Sequence, residues 1–86
     1  MIMVKVFGSS PPCAKCKEVE KRALKVAEKH PGKIEVEKLS ALSEAGRKYG
    51  VFFTPTVIIN DKTVSTGEVI SEKELEKLVL QELEGE

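Results

Sequence analysis

The sequence predicts an α/β domain with the element order βαβαββα. Short apolar or alternating segments take turns with segments whose apolar residues recur every three or four positions, and turn residues separate them. The chain has 86 residues, of which 41% are hydrophobic and 33% charged, so we expect a single folded domain over residues 1–86. The predicted architecture is a four-stranded mixed sheet flanked by three helices.

The first half of the chain predicts two strands and two helices. An apolar run at residues 2–7 predicts a buried strand, and alternation at residues 34–39 predicts a second. Between them, a helix that begins at Cys13 and ends at residues 30–32 has an apolar stripe formed by Cys16, Val19, Ala23, Val26 and Ala27. Ser40 or Ser43 is expected to cap a short helix at residues 45–49, which ends at Gly50.

The second half predicts a hairpin followed by a helix. A β-branched run at residues 56–59 and a return strand at residues 63–66 flank the turn residues 60–62. Ser71, with Glu74 three positions later, forms a capping box before the last helix. Right-handed crossovers make the first two strands parallel, and the hairpin adds an antiparallel edge. We expect helices on both faces of the sheet.

Composition argues against several classes of function. Fourteen basic and fourteen acidic residues cancel, whereas proteins that bind nucleic acids or membrane surfaces usually carry a basic excess. No apolar run approaches the roughly 20 residues of a membrane helix, and the first residues lack the pattern of a signal peptide. We therefore expect a cytoplasmic, monomeric protein with neither a nucleic acid nor a membrane as partner.

Both cysteines lie at the junction between the first strand and the first helix, in the segment PPCAKCK at residues 11–17. A helix N-terminus carries free N–H groups and partial positive charge, so the pKa of the Cys13 thiol is expected below that of free cysteine, with Lys15 contributing charge. Cys16 lies on the apolar side, where its pKa should be the higher of the two. Cys13 is the expected nucleophile toward a disulfide, and Cys16 the thiol that resolves the mixed disulfide.

Other functions of the cysteine pair remain open. Tetrahedral zinc needs four ligands, whereas the chain offers two cysteines and His30, which is expected to interact with free carbonyls at the far end of the helix. A Cu(I) carrier needs only two thiolates, but such carriers place Met where this chain has Pro11. A structural disulfide would close too short a loop to stabilise much. We expect no bound metal.

The segment KYGVFFTPT at residues 48–56 resembles the part of thioredoxins that leads into the cis-proline strand. Together with C-x-x-C after the first strand, it identifies a resemblance to the thioredoxin superfamily, closest to small archaeal and bacterial thioredoxin-like or glutaredoxin-like redox proteins. The resemblance implies a thioredoxin-like fold, with Pro55 as the cis-proline. The residues implied to bind substrate are Pro12, Thr54, Pro55 and Gly67. Exposed Phe52 or Phe53 is expected to extend the docking patch.

The resemblance implies a dithiol–disulfide oxidoreductase that reduces protein disulfides through Cys13 and Cys16. The electrons reside in the dithiol, so no separable cofactor is expected, and a reductase is the expected electron donor. Thioredoxins carry a buried carboxylate on the strand before the cysteines, where this chain has Phe7. Residues 65–68 lack the Gly-Gly-Asp with which glutaredoxins hold glutathione. The alternatives are a Cu(I) carrier and a non-catalytic adaptor with the same fold.

Overall fold

The structure, a computed structural model, describes residues 2–9, 14–51 and 53–85. Its elements, in chain order, are β1 (Ile2–Gly8), α1 (Ala14–Lys29), β2 (Ile34–Ser40), α2 (Glu44–Lys48), β3 (Thr56–Ile59), β4 (Lys62–Thr66) and α3 (Glu72–Glu84). The order confirms the predicted βαβαββα arrangement, and the bounds differ from the expected ones by a residue or two. Among the described residues, no helix has the length and apolar character needed to span a bilayer.

The four strands form one mixed sheet in the order β2-β1-β3-β4. β1 and β2 are parallel, as predicted, with Val4 opposite Val36. β3 runs antiparallel to β1, and β4 runs antiparallel to β3 with a shift in register between Val57 and Ile58. The central position of β1 explains why five of its seven residues are buried, because it has a strand on each side and helices above and below.

The main hydrophobic core lies between one face of the sheet and the helices α1 and α3. It contains Ile2, Val4, Val6, Val19, Ala23, Val26, Val57, Ile59, Leu75 and Val79. Successive side chains of a strand point to opposite faces, so Lys5 and Phe7 lie on the other face of β1. There the ring of Phe7 faces the ring of Tyr49, at the end of α2, with centroids 6.1 Å apart. Helices therefore cover both faces, as expected.

Turns and caps follow the local sequence. Ser43 rather than Ser40 caps α2, because its Oγ accepts a hydrogen bond from the Gly46 N–H at 3.3 Å. Ser71 accepts from the Glu74 N–H at 3.1 Å, which confirms the predicted cap of α3. In the hairpin, Asn60 and Asp61 have φ values of 47° and 69°, the left-handed pair typical of a tight two-residue turn.

His30 is at the end of α1, but the expected interaction of its side chain was wrong. Its Nε2 lies 3.1 Å from Oε2 of Glu76 in α3 rather than on the carbonyls of its own helix. The reason is the packing of α3 against α1, which brings a carboxylate within reach of the imidazole. The contact of His30 with Glu76 therefore connects the end of α1 to α3.

Candidate functional site

The topology brings several of the predicted site residues that the structure describes to one end of the sheet, where strands begin or end; we call this end the edge. β1 and β2 are parallel and end at this edge. β3 is antiparallel to β1 and begins there, and β4 returns to end there. Ser9, the first turn of α1, Pro55 and Gly67 therefore all lie at the same edge, although they are far apart in sequence.

Cys16 is held in the first turn of α1 against the end of β1. Its side chain is only 3% exposed, and its Sγ lies 3.9 Å from Oγ of Ser9. A Cβ added at Gly8 would lie 3.3 Å from Cβ of Cys16 and 3.6 Å from its Sγ. The absence of a side chain at Gly8 thus allows the sulfur to lie close to the strand.

Three of the predicted site and docking residues lie outside the described part of the chain. These are the proposed nucleophile Cys13, its neighbour Pro12 and Phe52. Their expected roles stay predictions. Lys15, the residue expected to tune the charge near the cysteines, is exposed in the first turn of α1.

The Thr54–Pro55 peptide bond is cis, as the resemblance implied. Pro55 is buried, and its carbonyl oxygen accepts a hydrogen bond from the Gly67 N–H at 2.8 Å. The pairing of Phe7 with Thr56 places Pro55 beside the Gly8 end of β1, where Cys16 packs. The structure therefore brings Thr54, Pro55 and Gly67 together at the edge that holds Cys16.

Thr56 supports this loop, and sequence reasoning did not assign it a role in the site. The residue is 2% exposed. Its hydroxyl donates a hydrogen bond to the Phe53 carbonyl at 2.5 Å and lies 3.1 Å from the hydroxyl of Thr66. The available signal was a polar residue in the otherwise apolar run TVII. Thr56 fixes the loop before it to the end of β4.

Two large apolar side chains are exposed at this edge. Phe53 is 67% exposed and lies beside Gly67, where an added Cβ would be 3.4 Å from the Cβ of Phe53. Leu42, 80% exposed, belongs to the turn after β2, which is held by a 3.0 Å hydrogen bond from the Ala41 N–H to the Gly8 carbonyl. The sequence had suggested Phe53 as a docking residue but not Leu42, because only the parallel pairing of β1 and β2 brings that turn to the edge.

Lys5, Tyr49 and Asp61 form a polar cluster on the face of the sheet opposite the main core. Nζ of Lys5 donates to the Tyr49 hydroxyl at 2.8 Å, and that hydroxyl donates to Oδ1 of Asp61. The hydrogen bond from Tyr49 is the main cause that lowers the pKa of Asp61, and the hydrogen bond to Tyr49 is the main cause that raises the pKa of Lys5. The cluster therefore connects Tyr49, at the end of α2, to Lys5 in β1 and to Asp61 in the hairpin turn.

A Tyr49→Phe variant is expected to be slightly less stable at neutral pH, because it loses the hydrogen bonds that join the hydroxyl to Lys5 and Asp61; the loss is small because Asp61 is exposed. Because the pKa of Asp61 is lowered in the folded protein, Asp61 contributes to the folding stability above its ordinary pKa of 3.8. This contribution is lost as the pH falls through the lower pKa of the folded state. Lys5 contributes to the folding stability below its ordinary pKa of 10.5, and this contribution is lost as the pH rises through the raised pKa of the folded state.

Urea unfolding as a function of pH measures both effects. The wild type should lose the contribution of Asp61 below about pH 4, and Tyr49→Phe should flatten that limb of the profile. Asp61→Asn is the matched control, since it removes the titrating group and keeps the tyrosine. Identical profiles for wild type and Tyr49→Phe would contradict the assigned role of the hydroxyl.

The βαβαββα order, with a cis-proline before β3 at the edge where the first helix begins, is the architecture of a thioredoxin-like domain. A family model described as a thioredoxin domain matches residues 2–80. The chain belongs to the thioredoxin domain family. No curated protein matches the sequence significantly.

Solved structures agree on the fold. Thioredoxin-2 of the malaria parasite, a component of its protein secretion machinery, is 20% identical with a TM-score of 0.78, over 94% of this chain and 82% of that one. Chloroplastic thioredoxin z is 18% identical with a TM-score of 0.78, over 94% and 77% of the two chains. Deadhead, a germline-specific thioredoxin of Drosophila melanogaster, is 23% identical with a TM-score of 0.71, over 93% and 79%. At these identities the likeness concerns the fold.

Proposed function

We propose that the protein is a dithiol–disulfide oxidoreductase that reduces protein disulfides through Cys13 and Cys16. The observation that carries this proposal is the position of Cys16: it is buried in the first turn of α1, at the sheet edge that also holds the cis Thr54–Pro55 bond. Membership of the thioredoxin domain family supports a thiol–disulfide function. The proposal adds the roles of the two cysteines and the class of substrate.

In the proposed reaction, the Cys13 thiolate attacks one sulfur of a protein disulfide. A bond forms between Cys13 and that sulfur, and the other substrate sulfur leaves as a thiolate. Cys16, after losing its proton, attacks Sγ of Cys13 and releases the second substrate thiolate. Two electrons pass from the dithiol to the substrate, the substrate thiolates take up protons, and a reductase that supplies two electrons restores the dithiol.

The surroundings of Cys16 support its role as the second thiol to react. At 3% exposure it is shielded from a protein substrate, and burial disfavours a thiolate. Cys13 precedes α1, whose N–H groups and dipole favour a thiolate at the helix N-terminus. Phe7 is buried in β1, where thioredoxins have a carboxylate, so the proton of Cys16 must pass to another group or to water.

The substrate is proposed to bind along the loop before β3. Thr54 is half-buried and directly precedes the cis-proline, and its backbone is proposed to pair with an extended substrate segment. Pro12, Pro55 and Gly67 complete the proposed groove, and the exposed ring of Phe53 adds an apolar contact. We propose that the protein works as a cytoplasmic monomer without a separable cofactor.

Equilibration with dithiothreitol buffers of stepped redox poise, read by thiol labelling, tests the proposal. Both thiols should titrate together as one two-electron couple. With limiting iodoacetamide, Cys13 should be labelled before Cys16, with a pH midpoint below the roughly 8.5 of free cysteine. The single variants Cys13→Ser and Cys16→Ser assign each labelled site by mass spectrometry.

Two outcomes would contradict the proposal. Thiols that stay reduced in a strongly oxidising buffer would exclude a redox pair. A protein that binds Cu(I) tightly through both thiols, and does not exchange with disulfides, would instead be a metal carrier. Labelling of Cys16 before Cys13 would reverse the assigned roles.

A further inference from the structure

The outer face of α1 carries a row of lysines that begins beside the candidate redox site. Lys17, Lys21 and Lys25 are exposed at intervals of four residues, so they lie on one side of the helix, with Leu24, 47% exposed, beside them. We call these four residues the lysine face. It starts one residue after Cys16 and extends about 12 Å along the helix.

Within the described part of the chain, none of the three lysines takes part in an ion pair. Other lysines of the protein do: Lys29 pairs with Glu72, Lys38 with Glu20 and Lys62 with Glu82. The chain as a whole has equal numbers of acidic and basic residues. The lysine face is therefore predominantly positive, with Glu28 as an acidic residue at its far end.

The contacts between these lysines do not serve the stability of the helix. Like charges four residues apart destabilise a helix, and Lys17–Lys21 and Lys21–Lys25 are two such pairs. The first turn of α1 contains no acidic residue, although acidic side chains are favoured there by the helix dipole. A row of exposed lysines that repel one another and adjoin the candidate redox site is complementary in charge to an anionic partner.

We propose that the lysine face docks an acidic surface of a protein that exchanges electrons with Cys13 and Cys16. This inference rests on the proposed function. A protein fits better than a nucleic acid because Leu24 offers an apolar contact within the row, and buried apolar contacts are typical of protein interfaces and not of contacts to a phosphate backbone.

Two synthetic peptides test the docking surface. Both contain the same intramolecular disulfide and an eight-residue arm, which is glutamate-rich in one and glutamine-rich in the other; fully extended, the arm reaches about 26 Å. The readout is the second-order rate constant for oxidation of the reduced protein. At low ionic strength the acidic peptide should react about tenfold faster, and the two rates should converge at about 0.5 M salt.

A K21Q/K25Q variant should reduce the preference for the acidic peptide at least about threefold, with the rate for the neutral peptide unchanged. Lys17 is retained because it lies next to Cys16. The matched control is K73Q/K77Q, which removes two exposed lysines at the same spacing from α3 and should keep the preference. Circular dichroism checks that both variants are folded.

The outcomes separate the inference from the proposed function. Equal rates for the two peptides in the wild type, or an unchanged preference in K21Q/K25Q, would overturn the docking surface and leave the redox function standing. Failure to react with either peptide would contradict both. Binding of a labelled DNA duplex by the wild type, lost in K21Q/K25Q, would assign the face to nucleic acid and overturn the proposal.

Discussion

A Cys16→Ser variant is expected to form covalent adducts with disulfide substrates and not to release them. Cys13 can still attack, but the thiol that resolves the mixed disulfide is missing. Turnover should fall at least about 1,000-fold, because an intramolecular thiol in the correct position has a very high effective concentration. Incubation with a small disulfide-bonded protein, followed by non-reducing electrophoresis and mass spectrometry, measures both the adduct and its site.

Cys13→Ser is the matched control and should form no adduct at all. If an adduct formed on Cys16 in that variant as fast as the wild type reacts with the same substrate, the buried thiol would be the nucleophile. Full turnover by Cys16→Ser would contradict the two-thiol mechanism. Serine is close in volume to cysteine, so the packing against Gly8 should be retained and a loss of activity can be attributed to chemistry.

Gly46→Ala is expected to lower the free energy of unfolding by about 3 kcal/mol. Gly46 is buried in α2, and a Cβ built there would lie 2.7 Å from the carbonyl carbon of Ala41 and closer still to its oxygen. The obstacle is backbone, which cannot rotate away as a flexible side chain can. The turn after β2 or the start of α2 must therefore move.

Urea unfolding at neutral pH measures this cost. Gly85→Ala is the control, because a Cβ there meets backbone oxygens of α3 at ordinary distances of 3.6 and 3.7 Å, and its stability should change little. Since Ala41 is hydrogen-bonded to Gly8, Gly46→Ala should also slow disulfide exchange. Equal stability of the two variants would contradict the close contact between α2 and the turn.

The elements of the fold were predictable because their signals are local. The spacing of Val19, Ala23 and Val26 marks α1, the β-branched run marks β3, and Ser71 caps α3, each within a few residues. The strand order was not predictable, because the pairing of β3 with β1 joins residues about fifty positions apart. The contact of His30 with Glu76 depends on the same long-range packing.

The candidate site likewise contains some residues that the sequence indicates and others that only the tertiary structure reveals. The spacing of the cysteines is visible in the sequence, and resemblance to a family pointed to Pro55. Thr56, which supports the loop, and the exposed Leu42 were not assigned to the site, because their positions follow from the alignment of strand ends at one edge. Sequence patterns thus predict which groups react, and the tertiary structure shows which residues lie around Cys16 and Pro55.

The hydrogen bonds around the loop before β3 bear on the affinity for an extended partner. The Thr56 hydroxyl holds the Phe53 carbonyl, and the Gly67 N–H holds the Pro55 carbonyl, so the backbone on both sides of Thr54 is fixed before anything binds. A segment that pairs with Thr54 meets a preorganised edge, and little conformational entropy of the protein is lost on association. Under the proposed function, the affinity for an extended segment then depends mainly on the conformational entropy that the segment itself loses on binding.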